Sequence, residues 1–463
     1  MADQAGGLWA RLMDEPARPD AVRGRPGAEW LVVATVCVGA FMGQLDASIV
    51  TLTLPALRRV FHGSLAEVEW VALGYLVVLV ATVTAVGRLG DVVGRKLLYT
   101  YGFAVFTLAT VGCGLAPSLT VLVLCRVVQA LGAAMLQANS VALIVTALPR
   151  HRRARGLGLQ GAAQALGLAL GPTVGGLLIA AGGWRWVFFA TVPAGVLGTV
   201  AGWYLLPRTR QLADPGRFDR AGLAVLGPTV LVLLAGLTYG TPWWLGLAAA
   251  GAAVLVVVER RASAPLLPPQ LFGRRAFTAS VTAGLLCYAA LFGVLFATPF
   301  YAEGTLRLSA VATGLLLTVL PAALGLTAPV AGAAADRWAG RWMAPAGMAV
   351  CAAALVLAAA THPGSLGLVA ILAMSGVGFG MFTPANNAAV MAVAEPRQSG
   401  QVGGVLNMTR GLGTALGVAV TGVAAAHGFR TACWLLAAVA VTAAVAAAGR
   451  GPSCAANEEP EPR

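Results

Sequence analysis

The sequence predicts an all-α polytopic membrane protein made of two related six-helix halves and two additional spans. Three observations carry this. Hydrophobic residues form 58% of the 463 positions and charged residues only 11%, with a mean hydropathy of +0.81, more apolar surface than soluble domains enclose. Fourteen apolar stretches begin near positions 30, 70, 98, 118, 158, 187, 221, 243, 277, 310, 343, 366, 400 and 430, and each approaches the roughly 20 residues that cross a bilayer. The chain also repeats itself at an offset of about 246, where Gly404, Gly413, Gly417 and Gly422 match Gly158, Gly167, Gly171 and Gly176.

The first 28 residues mix acids with arginines and lack an apolar core, so they read as a cytoplasmic tail and the first span directs insertion. An even number of spans puts both termini on one side. Most arginines, among them Arg152, Arg153, Arg155, Arg208, Arg210, Arg260, Arg261, Arg274 and Arg275, fall in alternate connections that share the termini's side. Cytoplasmic loops collect such residues. The expected organisation is therefore a tail over 1–28, a six-helix bundle over 29–207, a linker with two extra spans over 208–276, a second bundle over 277–449 and a cytoplasmic tail over 450–463. Parallel repeats of this kind place a substrate site between the halves near mid-membrane.

Composition also excludes classes. A net charge of +13 is spread over alternate loops instead of forming a basic, aromatic-rich domain, so orientation explains it and nucleic acid is not an expected partner. Seven cysteines without paired metal spacing give neither a metal site nor a disulfide framework. Gly156 to Gly161 has dinucleotide-fingerprint spacing but follows an arginine-rich loop in place of a strand, and Gly90 to Lys96 lacks the hydroxyl residue of a phosphate loop. The histidines, His62, His151, His362 and His427, are scattered at span ends, so no constellation for an enzyme is expected. One lysine against thirty arginines points to a GC-rich bacterial source.

The first span carries Asp46, the only acid that this count places deep in a span; Glu67, Glu69, Asp219, Glu259, Glu303 and Glu395 fall in loops or at span ends. An intramembrane acid is costly and marks a site. Helix rise puts Asp46 about 24 Å from the cytoplasmic start of its span, and Arg126 about 12 Å from the outer start of the fourth, so both lie in the outer half. They form either a permanent structural pair or a proton switch, in which desolvation and a moving arginine alternately load and release a proton. After the second span, Gly87, Gly90, Asp91, Gly94, Arg95 and Lys96 form a glycine frame around one acid, echoed later by Gly332, Asp336 and Arg341. Close helix ends and an acid at a neighbouring N-terminus would make a conformational latch. The fifth span carries Gly158, Gly167, Gly171, Pro172, Gly175 and Gly176; spaced glycines let backbones approach, and the proline breaks an intrahelical bond. Tyr75, Gln129, Gln137, Asn139, Gln164, Asn386, Asn387, Asn407 and Arg410 are polar where lipid penalises polarity, so each is a substrate-cavity candidate. Arg410 aligns with Gln164 through the repeat, so the two are expected to face each other across the cavity.

These motifs together resemble the major facilitator superfamily, and in particular its fourteen-helix drug:proton antiporters, which include bacterial antibiotic self-resistance exporters. Leu45 to Pro55 is similar to the first-helix signature, Gly87 to Lys96 to the second-loop pattern, Leu122 to Ala134 to the fourth-helix motif of proton-coupled members, and Gly158 to Gly176 to the fifth-helix antiporter motif. Ala130 stands where the fourth-helix motif prefers glycine. The resemblance spans about 29 to 449 and implies proton-coupled export of a hydrophobic or amphiphilic drug or antibiotic across the bacterial cytoplasmic membrane by alternating access. It implies coupling through Asp46 and Arg126, a proton gradient in place of any cofactor, and a monomer in the bilayer. In that family a deep acid in the second half accompanies doubly charged substrates; its lack here disfavours dications. A carrier of an ordinary metabolite, or an uncoupled lipid-moving or receptor-like homologue, is the alternative.

Overall fold

A computed structural model describes residue 15, residues 18–19, 27–149, 152–209, 220–262, 269–337, 342–392 and 399–449. Every regular element among the described residues is helical. The first half comprises α1 (Ala28–Phe61), α2 (Leu65–Val93), α3 (Arg95–Leu115), α4 (Leu119–Ala147), α5 (Arg153–Gly182), the short α6 (Trp184–Phe189) and α7 (Val192–Leu205). Next come α8 (Arg220–Tyr239), α9 (Pro242–Arg261) and the one-turn α10 (Pro269–Phe272). The rest is α11 (Arg275–Gly304), α12 (Ala310–Arg337), α13 (Met343–Thr361), α14 (Ser365–Ala392), α15 (Ser399–Ala426) and α16 (Phe429–Ala448).

Local chemistry sets several ends. Ser64 caps α2 by accepting from the Glu67 N–H at 3.2 Å while the Glu67 carboxylate accepts from the Ser64 N–H at 2.7 Å, a reciprocal box that satisfies two orphan donors. Gly94, at φ +116°, turns the chain from α2 into α3, a conformation that costs a side-chain-bearing residue more than glycine. Beneath that turn lies the Glu15 carboxylate, which accepts from the Thr209 N–H at 2.6 Å, while the Lys96 N–H donates to the Thr209 hydroxyl at 3.0 Å. The N-terminal segment is thereby fastened to the α2–α3 turn and to the residues after α7.

Among the described residues, thirteen helical stretches, one of them α6 and α7 taken together, are long and apolar enough to cross a membrane. The fourteenth expected span, α15, is 28 residues long but falls outside that set. Asn407, Thr409 and Arg410 lie in its middle, and polar residues at that depth lower its hydropathy. Its packing is nonetheless that of its repeat partner. α5 lies along α1 as α15 lies along α11, and the pairs α3 with α4, α2 with α4 and α3 with α7 recur as α13 with α14, α12 with α14 and α13 with α16. The two sets meet through α5 against α12 and α2 against α15. α8 packs on both α2 and α15, and α9 chiefly on α8.

Four glycines of the fifth span, Gly167, Gly171, Gly175 and Gly176, sit in close helix contacts, whereas Gly158 does not. A Cβ at Gly167 would sit 2.4 Å from the Phe41 carbonyl oxygen, and Gly171 and Gly175 press on Ser48 and Ile49, all on α1. In the repeat, Gly413 and Gly417 press likewise on the Leu285 and Ala289 carbonyls of α11. Gly176 crosses to Ala310 and Val311 at the start of α12, while Gly314 meets the Pro172 carbonyl. A Cβ at Gly158 would meet no other described residue within 4 Å, and neither would one at its repeat partner Gly404.

Candidate functional site

Asp46 and Arg126 meet in the interior of the first half. The Arg126 guanidinium donates through NH1 to Asp46 Oδ2 at 2.7 Å and to Gln129 Oε1 at 2.6 Å, and through Nε to the Val71 carbonyl at 3.1 Å. Gln129 Nε2 donates to Asp46 Oδ1 at 3.0 Å and to the Thr110 hydroxyl at 2.7 Å. Both charged side chains are 2% exposed. Each carboxylate oxygen therefore has a donor, as a buried charge requires. The Tyr75 ring closes one side, 4.3 Å from the Arg126 guanidinium carbon, in cation–π contact.

Tyr75 has a second role as a wall of a cavity of about 370 Å³. Gln44 and Ala47, on either side of Asp46 in sequence, also line it, so the ion pair and the cavity share one partition. Across it stand Tyr288, Asn387, Asn407 and Arg410 from the second half. Gln137 and Gln164 complete the polar lining that the sequence proposed. Gln164 and Arg410 border the same space.

Three candidates do not line the cavity. Gln129 belongs to the ion-pair network, fully buried. Asn139 donates to the Met135 carbonyl at 2.9 Å and packs on Gly90, where a Cβ would strike its amide oxygen. Asn386 is buried with its amide nitrogen against Gly284. Adjacent residues on a helix point about 100° apart, so Asn387 reaches the cavity while Asn386 does not. Gln44, Gln160, Tyr288, Thr383 and Thr414 line it and went unread. Gln44 and Gln160 carried the same signal as the others, a polar amide in an apolar span; the threonines carried none, because a helical hydroxyl satisfies itself on its own backbone, as Thr383 does on Phe379.

Glu69 lies near the start of α2, at a span end as expected, yet it is buried to 2% exposure against Thr238 of α8 and Gly422 of α15, and its Oε2 has no hydrogen-bond partner. Glu259 is likewise buried. Asp46 is thus not alone in being enclosed. In the second-loop motif, Gly90 holds α2 tightly to α4 through Asn139, and Gly87 rests on Ala138. Lys96 is buried and Arg95 half-buried; the side chains of Asp91 and Asp336 lie outside the described residues.

A helical bundle with a buried intramembrane ion pair beside a polar-lined cavity defines a polytopic membrane transporter. The chain belongs to the Major Facilitator Superfamily, whose model matches residues 36–320 and 281–463. It is 32% identical to the riboflavin transporter RibZ of Clostridioides difficile over 84% of this chain and 87% of that one. It is 30% identical to the tetracenomycin C resistance and export protein of Streptomyces glaucescens over 87% and 76%, and 30% identical to the methylenomycin A resistance protein of Streptomyces coelicolor over 84% of each. A bacterial homologue of the lysosomal transporter Spinster, solved in an inward-facing and occupied conformation, shares the fold with a TM-score of 0.66 at 16% identity, over 92% of this chain and 97% of that one.

Proposed function

We propose that this protein is a proton-coupled antiporter that exports a hydrophobic or amphiphilic drug or antibiotic across the bacterial cytoplasmic membrane. The observation that carries the reading is the shared partition: Tyr75 touches both the Asp46/Arg126 pair and the cavity, so occupancy on one side bears on the charges on the other. A proton arriving at Asp46 Oδ2 removes the negative charge that holds Arg126 NH1 and leaves it only the neutral Gln129 Oε1 as a full acceptor. The arginine then swings or the partition shifts, and the cavity changes access; a returning Arg126 expels the proton. The relatives named for antibiotic resistance support export. The carrier makes and breaks no covalent bond, needs no cofactor beyond the proton gradient, and works as a monomer in the bilayer. Its glycine-lined fifth span and the α2–α3 turn supply the hinge and latch.

A second reading, carriage of an ordinary metabolite, is favoured by the riboflavin transporter among the relatives. An uncoupled lipid-moving or receptor-like carrier is the third. Proton movement in inside-out vesicles, on addition of a panel of lipophilic antibiotics, dyes and riboflavin, separates them. The native chain should release protons for its substrate, and Asp46→Asn should bind that substrate without proton movement. An asparagine variant that moves protons like the native chain refutes the coupling; a response to riboflavin alone selects the metabolite reading.

A further inference from the structure

The cavity has a charge of its own, separate from the ion pair. Among its described lining residues Arg410 is the one charged side chain, and no aspartate or glutamate faces it there. Arg126 adds nothing to this balance, because it is buried behind Tyr75 and neutralised by Asp46 at 2.7 Å. Arg410 is held differently. Its guanidinium carbon lies 5.7 Å from the Tyr288 ring centre, and its buried Nε has no hydrogen-bond partner. The guanidinium of this half-buried residue borders a cavity also lined by Leu76, Leu291 and Phe292, with its Nε buried and no anion among the described lining residues, so a carboxylate entering there would supply the partner that it lacks.

The chemistry of what fits follows. The planar fork of arginine matches a carboxylate or an ionised phenol or enol better than any neutral acceptor. The rings of Tyr75, Tyr288 and Phe292 offer flat faces to a fused-ring body. A cation entering the same space meets an unscreened positive charge and no counter-ion. We propose that the cavity selects an amphiphile bearing a single acidic group, held by Arg410, over its neutral and cationic counterparts. This rests on the cavity being the substrate site of the carrier.

The test is equilibrium binding to the purified full-length protein in lipid nanodiscs, followed by fluorescence with empty discs subtracted. Three probes share a pyrene body and differ in charge: 4-(1-pyrenyl)butyrate, its methyl ester, and the trimethylammonium analogue of the same chain length. The acid should bind at least about tenfold more tightly than the ester, with the ammonium compound weakest. Arg410→Gln should bring the acid to the ester's affinity and leave the ester unchanged, which shows that the variant is folded; Arg410→Lys should keep part of the preference. The inference is overturned if ester or ammonium binds as tightly as the acid, if the acid shows no saturable binding, or if Arg410→Gln retains the preference. Binding needs no proton gradient, so this result and the vesicle result for Asp46→Asn fail independently.

Discussion

Gln129 holds the centre of the coupling site as firmly as the two ions do, since it donates to Asp46 and accepts from Arg126 at once. Gln129→Leu removes both contacts and leaves buried polar groups unpaired, at a cost of about 1–3 kcal/mol. The expected outcome is a lower melting temperature in detergent together with weakened coupling, whereas Gln129→Glu adds a second acid beside Asp46 and should move the pH profile of transport. Replacing Arg126 alone strands the Asp46 carboxylate and should cost more, about 3–5 kcal/mol, read as loss of folded protein by size-exclusion chromatography; a double Asp46→Asn, Arg126→Gln variant should recover folding without proton movement. At this scale the sequence was informative about type and poor about direction. Helix rise placed Asp46 and Arg126 both in the outer half, and the structure joins them. Whether Asn386 or Asn387 meets the cavity depends on a rotation of one residue, which the polar composition of that segment does not encode.

The helices separate two kinds of glycine that look alike in sequence. Gly167 and Gly413 are close-packed against backbone carbonyls of α1 and α11, whereas Gly158 and Gly404 face open space. Gly167→Ala should force α1 and α5 apart and abolish transport or folding. Gly158→Ala fills nothing and should raise helix stability by about 0.5–1 kcal/mol, measurable as an unchanged or higher thermal midpoint with transport retained. The contrast checks packing, not propensity, as the reason for the motif. Gly422 is a further case: it packs against the Glu69 carboxylate where Gly176 packs against the Ala310 backbone. The repeat fixed that these two glycines correspond, but the identity of what each one touches came from the opposite half.

Across the whole molecule, the ends of α1 and α11 that carry Arg59 and Glu303 are drawn together. Arg59 of α1 donates to the Glu303 carboxylate of α11 at 3.0 Å, and Gly176 and Gly314 lock α5 to α12 at the same end. Arg59 is 68% exposed, so the bridge itself contributes no more than about 0–1 kcal/mol. It marks the closure without driving it. Cysteines at Arg59 and Glu303, joined by a reducible bifunctional thiol reagent that spans the two long side chains they replace, should stop transport, with activity restored by reductant; transport that continues in the cross-linked protein would show that these ends need not part. Arg59→Glu alone should favour opening at that end, seen as faster labelling of a cysteine at Ala47.

Spans, the repeat and the polar positions inside apolar segments followed from composition and spacing alone, because a bilayer requires long apolar helices and penalises every polar residue that lacks a purpose. The sequence also named Asp46, Arg126 and Arg410, since intramembrane charges are rare enough to stand out. It also paired Asp46 with Arg126 by depth, but gave no acid to Arg410 and no geometry to the pair. Tertiary packing decided that Asp46 neutralises Arg126 while Arg410 faces the cavity without an acid, that Tyr75 is the wall between them, and that Glu69 is enclosed by helices of both halves and of the insert. Those outcomes depend on helix rotation and on contacts between segments far apart in the chain, 80 residues for Arg126 and Asp46 and still more for Glu69 and Gly422, and local spacing carries no information about either.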